Sequence, residues 1–156
     1  MRTLIIGYGN RGRNDDGVGW FVVERLEDVG LPGVELVASH QLEVDHAETI
    51  SQFDVIIFVD AASVDSRQLL TRAVVFPKLQ EHAVSHHLTP ADVLALCQSL
   101  YRRQPQAILF SIRGHDFNFG STLSAATERA ALEAVREIRH VVEHYATNTG
   151  GRAACA

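Results

Sequence analysis

Three segments of this chain carry side chains that could work together chemically. Asp15 and Asp16 stand side by side near the end of the loop Gly7-Tyr-Gly-Asn-Arg-Gly-Arg-Asn-Asp-Asp-Gly17. Asp60 closes the apolar run DVIIFVD, and Ser85-His86-His87 lies just ahead of Thr89-Pro90. Carboxylate oxygens and imidazole nitrogens suit zinc, nickel and similar divalent ions, and three protein ligands leave positions open for water or substrate. An ion held in that way can polarise a carbonyl or lower the pKa of a bound water. Each group also has a plainer use. One of Asp15 and Asp16 can cap the helix that follows, an aspartate at a strand end can close a turn, and adjacent histidines can simply be solvated. A fold that gathers all three segments at one place is what would favour chemistry.

The elements between them supply such a fold. Thr3–Ile6 is an apolar run closed by Gly7, Val34–Ala38 reads as a second strand, and Asp54–Val59 is continuous and β-branched, as buried parallel strands are. Leu69–Phe76, with charged flanks, reads as an edge strand, and Ala107–Ile112 as a fifth strand. Helical spacing appears over Val18–Leu26 and, more weakly, Val44–Gln52. Thr89 and Pro90 open a further helix as N-cap and first residue, with Asp92 in its first turn and Val93, Leu96, Cys97 and Leu100 on one face. A last helix runs from about Ser124 to Tyr145, its buried stripe being Leu132, Val135, Ile138, Val142 and Tyr145. This order implies an α/β fold, a three-layer α/β/α sandwich with a mostly parallel sheet of roughly five strands. In such sheets ligands gather outside the carboxyl ends of the strands. Asp16, Asp60 and the histidine pair each follow a strand.

Composition narrows the classes. The 156 residues are 46% hydrophobic and 21% charged with a formal net charge of −5, and no Lys/Arg-rich run occurs. No nucleic-acid partner is therefore expected. The opening apolar run is too short for a signal peptide, and no stretch reaches the ~20 apolar residues of a membrane span. With Cys97 and Cys155 as the only cysteines and no CxxC pair, a reducing, cytoplasmic setting fits best. One domain over residues 1–145 is expected, with a small, Gly-rich, disordered tail over 146–156.

These residues resemble the [NiFe]-hydrogenase maturation proteases. The resemblance rests on G-x-G-N followed by an acidic pair and Gly-x-Gly, a strand ending in Asp60-Ala61, and a histidine ahead of Ala91-Asp-Val-Leu94, and it spans about Met1 to Tyr145. It implies an endopeptidase that removes a C-terminal extension from the precursor of a hydrogenase large subunit once nickel is in place. It further implies that Asp16, Asp60 and His86 contact the metal, that the precursor supplies the nickel, that zinc or cadmium can occupy the same position, and that the protein is a monomer. The first-loop acid of the family is often glutamate, and here it is the shorter Asp16. Counting back from Asp92 without a gap selects His86; aligning on Ser-x-His selects His87. His40-Gln41-Leu42 and Arg113-Gly114 resemble a subset of the family serving soluble multi-subunit hydrogenases.

Other nucleophiles are poorly placed. Cys97 lies on an apolar helical stripe, Cys155 is in the tail, and Ser63 and Ser85 lack a G-x-S-x-G context. His115 follows the fifth strand and is expected to shape its loop, whereas His140 and His144 fall on a solvated helix face. Two further readings come from other classes. Gly7, Gly9 and Gly12 form a G-x-G-x-x-G after a strand, as in a dinucleotide-binding module. Yet Asp15 and Asp16 would repel phosphate, and no helix starts at the third glycine. A receiver-like phosphoacceptor domain centred on Asp60 would place its acidic pair directly after the strand and use a lysine where Arg113 stands.

Overall fold

The computed structural model describes residues 1–81 and 87–150, the last two as backbone only. Its elements follow the expected order: β1 (Thr3–Tyr8), a 3-10 turn (Asn14–Gly17), α1 (Val18–Val29), β2 (Val34–Ser39), α2 (Asp45–Ile50), β3 (Val55–Ala62), β4 (Leu70–Val74), α3 (Pro90–Tyr101), β5 (Gln106–Arg113) and α4 (Ala125–Gly150). The strands form one sheet in the order β2-β1-β3-β5-β4. All neighbours are parallel except β4, which lies antiparallel on β5 at the edge. Among the described residues, no helix is long and apolar enough to cross a membrane.

Period-two alternation divides the central strands between two cores. Ile5, Val55, Ile57, Val59, Phe110 and Ile112 face α1 and α4, packing on Val22, Leu26, Ala131, Ala134 and Ile138. Leu4, Ile6, Tyr8, Ile56 and Phe58 face α2 and α3, against Ala47, Ile50, Val93, Leu94 and Cys97. Every residue of β1 is buried, as a strand covered on both faces requires. Helix α1 sits hard on β1, because a Cβ on Gly7 would overlap the Gly19 carbonyl.

Several expected details shift. Val135, Ile138, Val142 and Tyr145 of the expected stripe of α4 do join the core, but Leu132 is 39% exposed, and the stripe also takes in the small residues Ala130, Ala131 and Ala134. On α3 the buried face is Val93, Leu94 and Cys97, while Leu100 is 59% exposed. Helix α4 continues past Tyr145 to Gly150, so residues 146–150 are helical rather than part of a disordered tail.

Candidate active site

The loop after β1 is built around its own acids. Asn14–Gly17 folds back as a 3-10 turn, and this brings the Asp16 carboxylate to the main-chain N–H of Asn10, at 2.7 Å. Gly9 makes the return possible. Its φ is +144°, and a Cβ there would overlap the Asp16 carbonyl oxygen. The Asn10 side chain steadies the turn by accepting from Gly12 N–H at 2.8 Å. The glycines thus serve the close approach of acid and strand. Helix α1 begins only at Val18, beyond both aspartates, which leaves no phosphate cradle of the dinucleotide kind.

Neither aspartate caps α1. Asp15 is fully buried and points away from Asp16's side, towards the loop between β5 and α4. Its Oδ2 accepts from His115 N–H (2.8 Å), Asp116 N–H (3.0 Å) and the Ser124 hydroxyl (2.8 Å), and its Oδ1 from Ser124 N–H (2.7 Å). Burial opposes ionisation, but these bonds outweigh it and hold the carboxyl below its ordinary range. Asn14 ties the same two loops, donating to Asp116 at 3.1 Å and accepting from Thr122 N–H at 3.2 Å.

Asp60 was expected just after β3 and instead lies within it, because β3 continues to Ala62 in register with β5 as far as Arg113. It shares the α2/α3 face with Tyr8 of the adjacent strand. Asp60 Oδ1 accepts from Ala61 N–H at 2.7 Å, and the Tyr8 hydroxyl lies close enough on the same face to favour the charged carboxylate. Burial pushes the Asp60 carboxyl up to about 6, and the neighbouring Asp16 charge adds to the rise. Burial and the Asp60 charge likewise push the Tyr8 phenol above its ordinary value.

Asp16 and Asp60 line one cavity of about 340 Å³ at the carboxyl end of the sheet, together with Tyr8, Arg13, His40 and His87. His86 lies outside the described residues; His87 is within them and reaches the cavity wall. Asp92 fastens the base of the histidine segment, where Gln80 N–H (2.9 Å) and Thr89 N–H (2.8 Å) donate to its two oxygens while Thr89 caps α3. Sequence reasoning assigned Asp92 only to the helix end, and it overlooked Tyr8 and Arg13. Among the described residues, no three His, Cys, Asp or Glu side chains stand close enough together to hold an ion. A larger cavity of about 710 Å³ beside Arg102 and Arg103 lies at the opposite, amino end of the strands, and its acid, Asp54, is already engaged by Arg2 and Arg103.

The remaining candidates have other partners. His115 Nδ1 meets the Thr127 hydroxyl at 3.1 Å, as befits a loop-shaping residue. His140 faces Glu143, and His144 lies 2.9 Å from Asn148. Cys97 is fully buried in the core, which raises its thiol pKa.

No protein-family model and no curated protein sequence matches the chain. Solved structures do. The hydrogenase maturating endopeptidase HybD from E. coli superposes with a TM-score of 0.75 at 18% identity, covering 93% of this chain and 94% of its own. The [NiFe] hydrogenase maturation protease HycI from Thermococcus kodakarensis gives 0.71 at 23% identity, over 91% and 92%. A hydrogenase 2 maturation peptidase from a Thaumarchaeota archaeon gives 0.68 at 21% identity, over 92% and 99%. The chain therefore has the α/β fold of the hydrogenase maturation proteases, over more than nine-tenths of its length.

Proposed function

We propose that this chain is an endopeptidase that removes the C-terminal extension from the precursor of a [NiFe]-hydrogenase large subunit after nickel insertion. The observation that carries the reading is the convergence of Asp16 and Asp60 on one cavity at the carboxyl end of the sheet, in a chain with this fold. Their donor chemistry fits a divalent cation. Two carboxylates near enough for one charge to raise the other's pKa are relieved when a dication sits between them. The nickel arrives as part of the substrate, and other divalent ions such as zinc or cadmium fit the same oxygen and nitrogen donors.

In this reading Asp16 and Asp60 contact the metal, with His86 as the third ligand and His87 as its alternative. The bound ion supplies Lewis acidity at the scissile carbonyl or to a water. The chain's own residues do the placing. Asn10 N–H holds one Asp16 oxygen, Ala61 N–H holds one Asp60 oxygen, and Asp92 secures both feet of the histidine segment. The test is a cleavage assay on a purified large-subunit precursor, with and without nickel, read by mass spectrometry. Loss of a defined C-terminal peptide from the nickel-loaded form alone is the expected result, and alanine at Asp16, Asp60 or His86 abolishes it. Near-normal processing by Asp60→Ala sinks the proposal.

A further inference from the structure

Among the polar side chains that line the cavity, Tyr8 is the one on the strand next to Asp60. Tyr8 ends β1 with the parity of Leu4 and Ile6, so its ring belongs to the core under α2 and α3, and only 9% of it is exposed. A phenylalanine would fill that core equally well. The hydroxyl is what differs, and a buried phenol needs a partner. Strands β1 and β3 pair Gly7 with Val59, which sets Tyr8 beside Asp60 on the same face. Both line the cavity with Asp16.

Asp60 accepts the Ala61 amide on Oδ1, and the Tyr8 hydroxyl stands next to its carboxylate across the β1/β3 pair, in the wall of the same cavity. The amide alone leaves the carboxylate plane free to swing about that contact. We propose that Tyr8 is the positioning residue for Asp60: its hydroxyl fixes the carboxylate so that an oxygen is presented to a cation shared with Asp16. The inference rests on the reading of Asp16 and Asp60 as metal contacts. Outer partners of ligating carboxylates typically contribute ten- to a hundredfold to metal affinity.

The experiment is titration calorimetry of Cd2+ and Ni2+ into the full chain and its Tyr8→Phe, Asp60→Ala and doubly substituted variants, each checked for folding by circular dichroism. Tyr8→Phe is expected to weaken binding about ten- to a hundredfold. In the Asp60→Ala background the same substitution is expected to change nothing further, since Tyr8 acts through Asp60. A ring that only fills the core would leave affinity unchanged in Tyr8→Phe. Equal affinity of the parent chain and Tyr8→Phe therefore overturns the role of Tyr8 while leaving the metal site standing. No binding by the parent chain, or binding indifferent to Asp60→Ala, overturns the metal-site reading itself.

Discussion

Replacing Asp60 by asparagine is expected to make the protein more stable and inactive at once. The carboxyl titrates near 6 in the folded chain against an ordinary 3.8, a rise of about two pH units. At about 1.4 kcal/mol per unit, the folded state bears a penalty of about 3 kcal/mol wherever Asp60 is ionised. Below pH ~4 both folded and unfolded chains hold the proton and the penalty is absent. It grows between about pH 4 and 6 and is complete above that. Asparagine cannot ionise, it retains an oxygen for the Ala61 amide, and its NH2 can donate to the Tyr8 hydroxyl or to Asp16. Asp60→Asn should thus melt roughly 6–12 °C above the parent at pH 8, given 2–4 °C per kcal/mol in a chain of this size. The gap should close towards pH 4.5. Thermal melts of both proteins in metal-free buffers across that range measure it. A variant no more stable than its parent at pH 8, or a gap that is flat with pH, would refute the argument that Asp60 is a strained, half-buried anion.

Asp15→Ala removes the acceptor of three main-chain N–H groups and the Ser124 hydroxyl, and at about 1–3 kcal/mol for each unmet donor a loss of about 4 kcal/mol is expected in urea unfolding. Because the Asp15 carboxyl is held below its ordinary range, its contribution is present above pH ~4 and lost as pH falls further, so parent and variant should converge in acid. Gly9→Ala meets both a φ of +144° and the Asp16 carbonyl, and should cost several kcal/mol and the cleavage activity together, measured by denaturation and by the precursor assay. In a Cys155→Ser background, Cys97 should ignore Ellman's reagent until the protein unfolds. Rapid reaction in the native state would contradict its place in the core.

The strands were readable because parallel strands buried on both faces carry unbroken apolar runs, as in Ile5-Ile6 and Val55–Val59. Their ends were not, since β3 is prolonged past Asp60 by pairing with β5, a partner distant in sequence. Helical periodicity located α3 and α4 but misjudged Leu100 and Leu132. Which flank of a stripe is buried depends on the approach of a neighbouring helix, and around Ala131 and Ala134 that approach is close. That Asp16 and Asp60 meet at one cavity was readable from a loop after β1 and an aspartate late in β3, since parallel strands bring their carboxyl ends to one edge. Tyr8 required the strand's parity to be matched with that of β3, and the role of Asp15 depends on partners in another loop altogether.

The Asp15 carboxylate has a consequence for local opening. Active-site loops usually exchange their amide hydrogens readily, being drawn from the least protected parts of a fold. Here the amides of His115, Asp116 and Ser124 end on a buried anion contributed by the first loop, and Asn14 N–H ends on the Gly120 carbonyl. Neither loop can expose these hydrogens without releasing the other, so the two form one cooperative unit despite their separation along the chain. In deuterium exchange they would be expected to protect and open together, as slowly as the strands that carry them. On this side the cavity is a rigid wall, and any adaptation to a bound molecule must come from elsewhere along its rim.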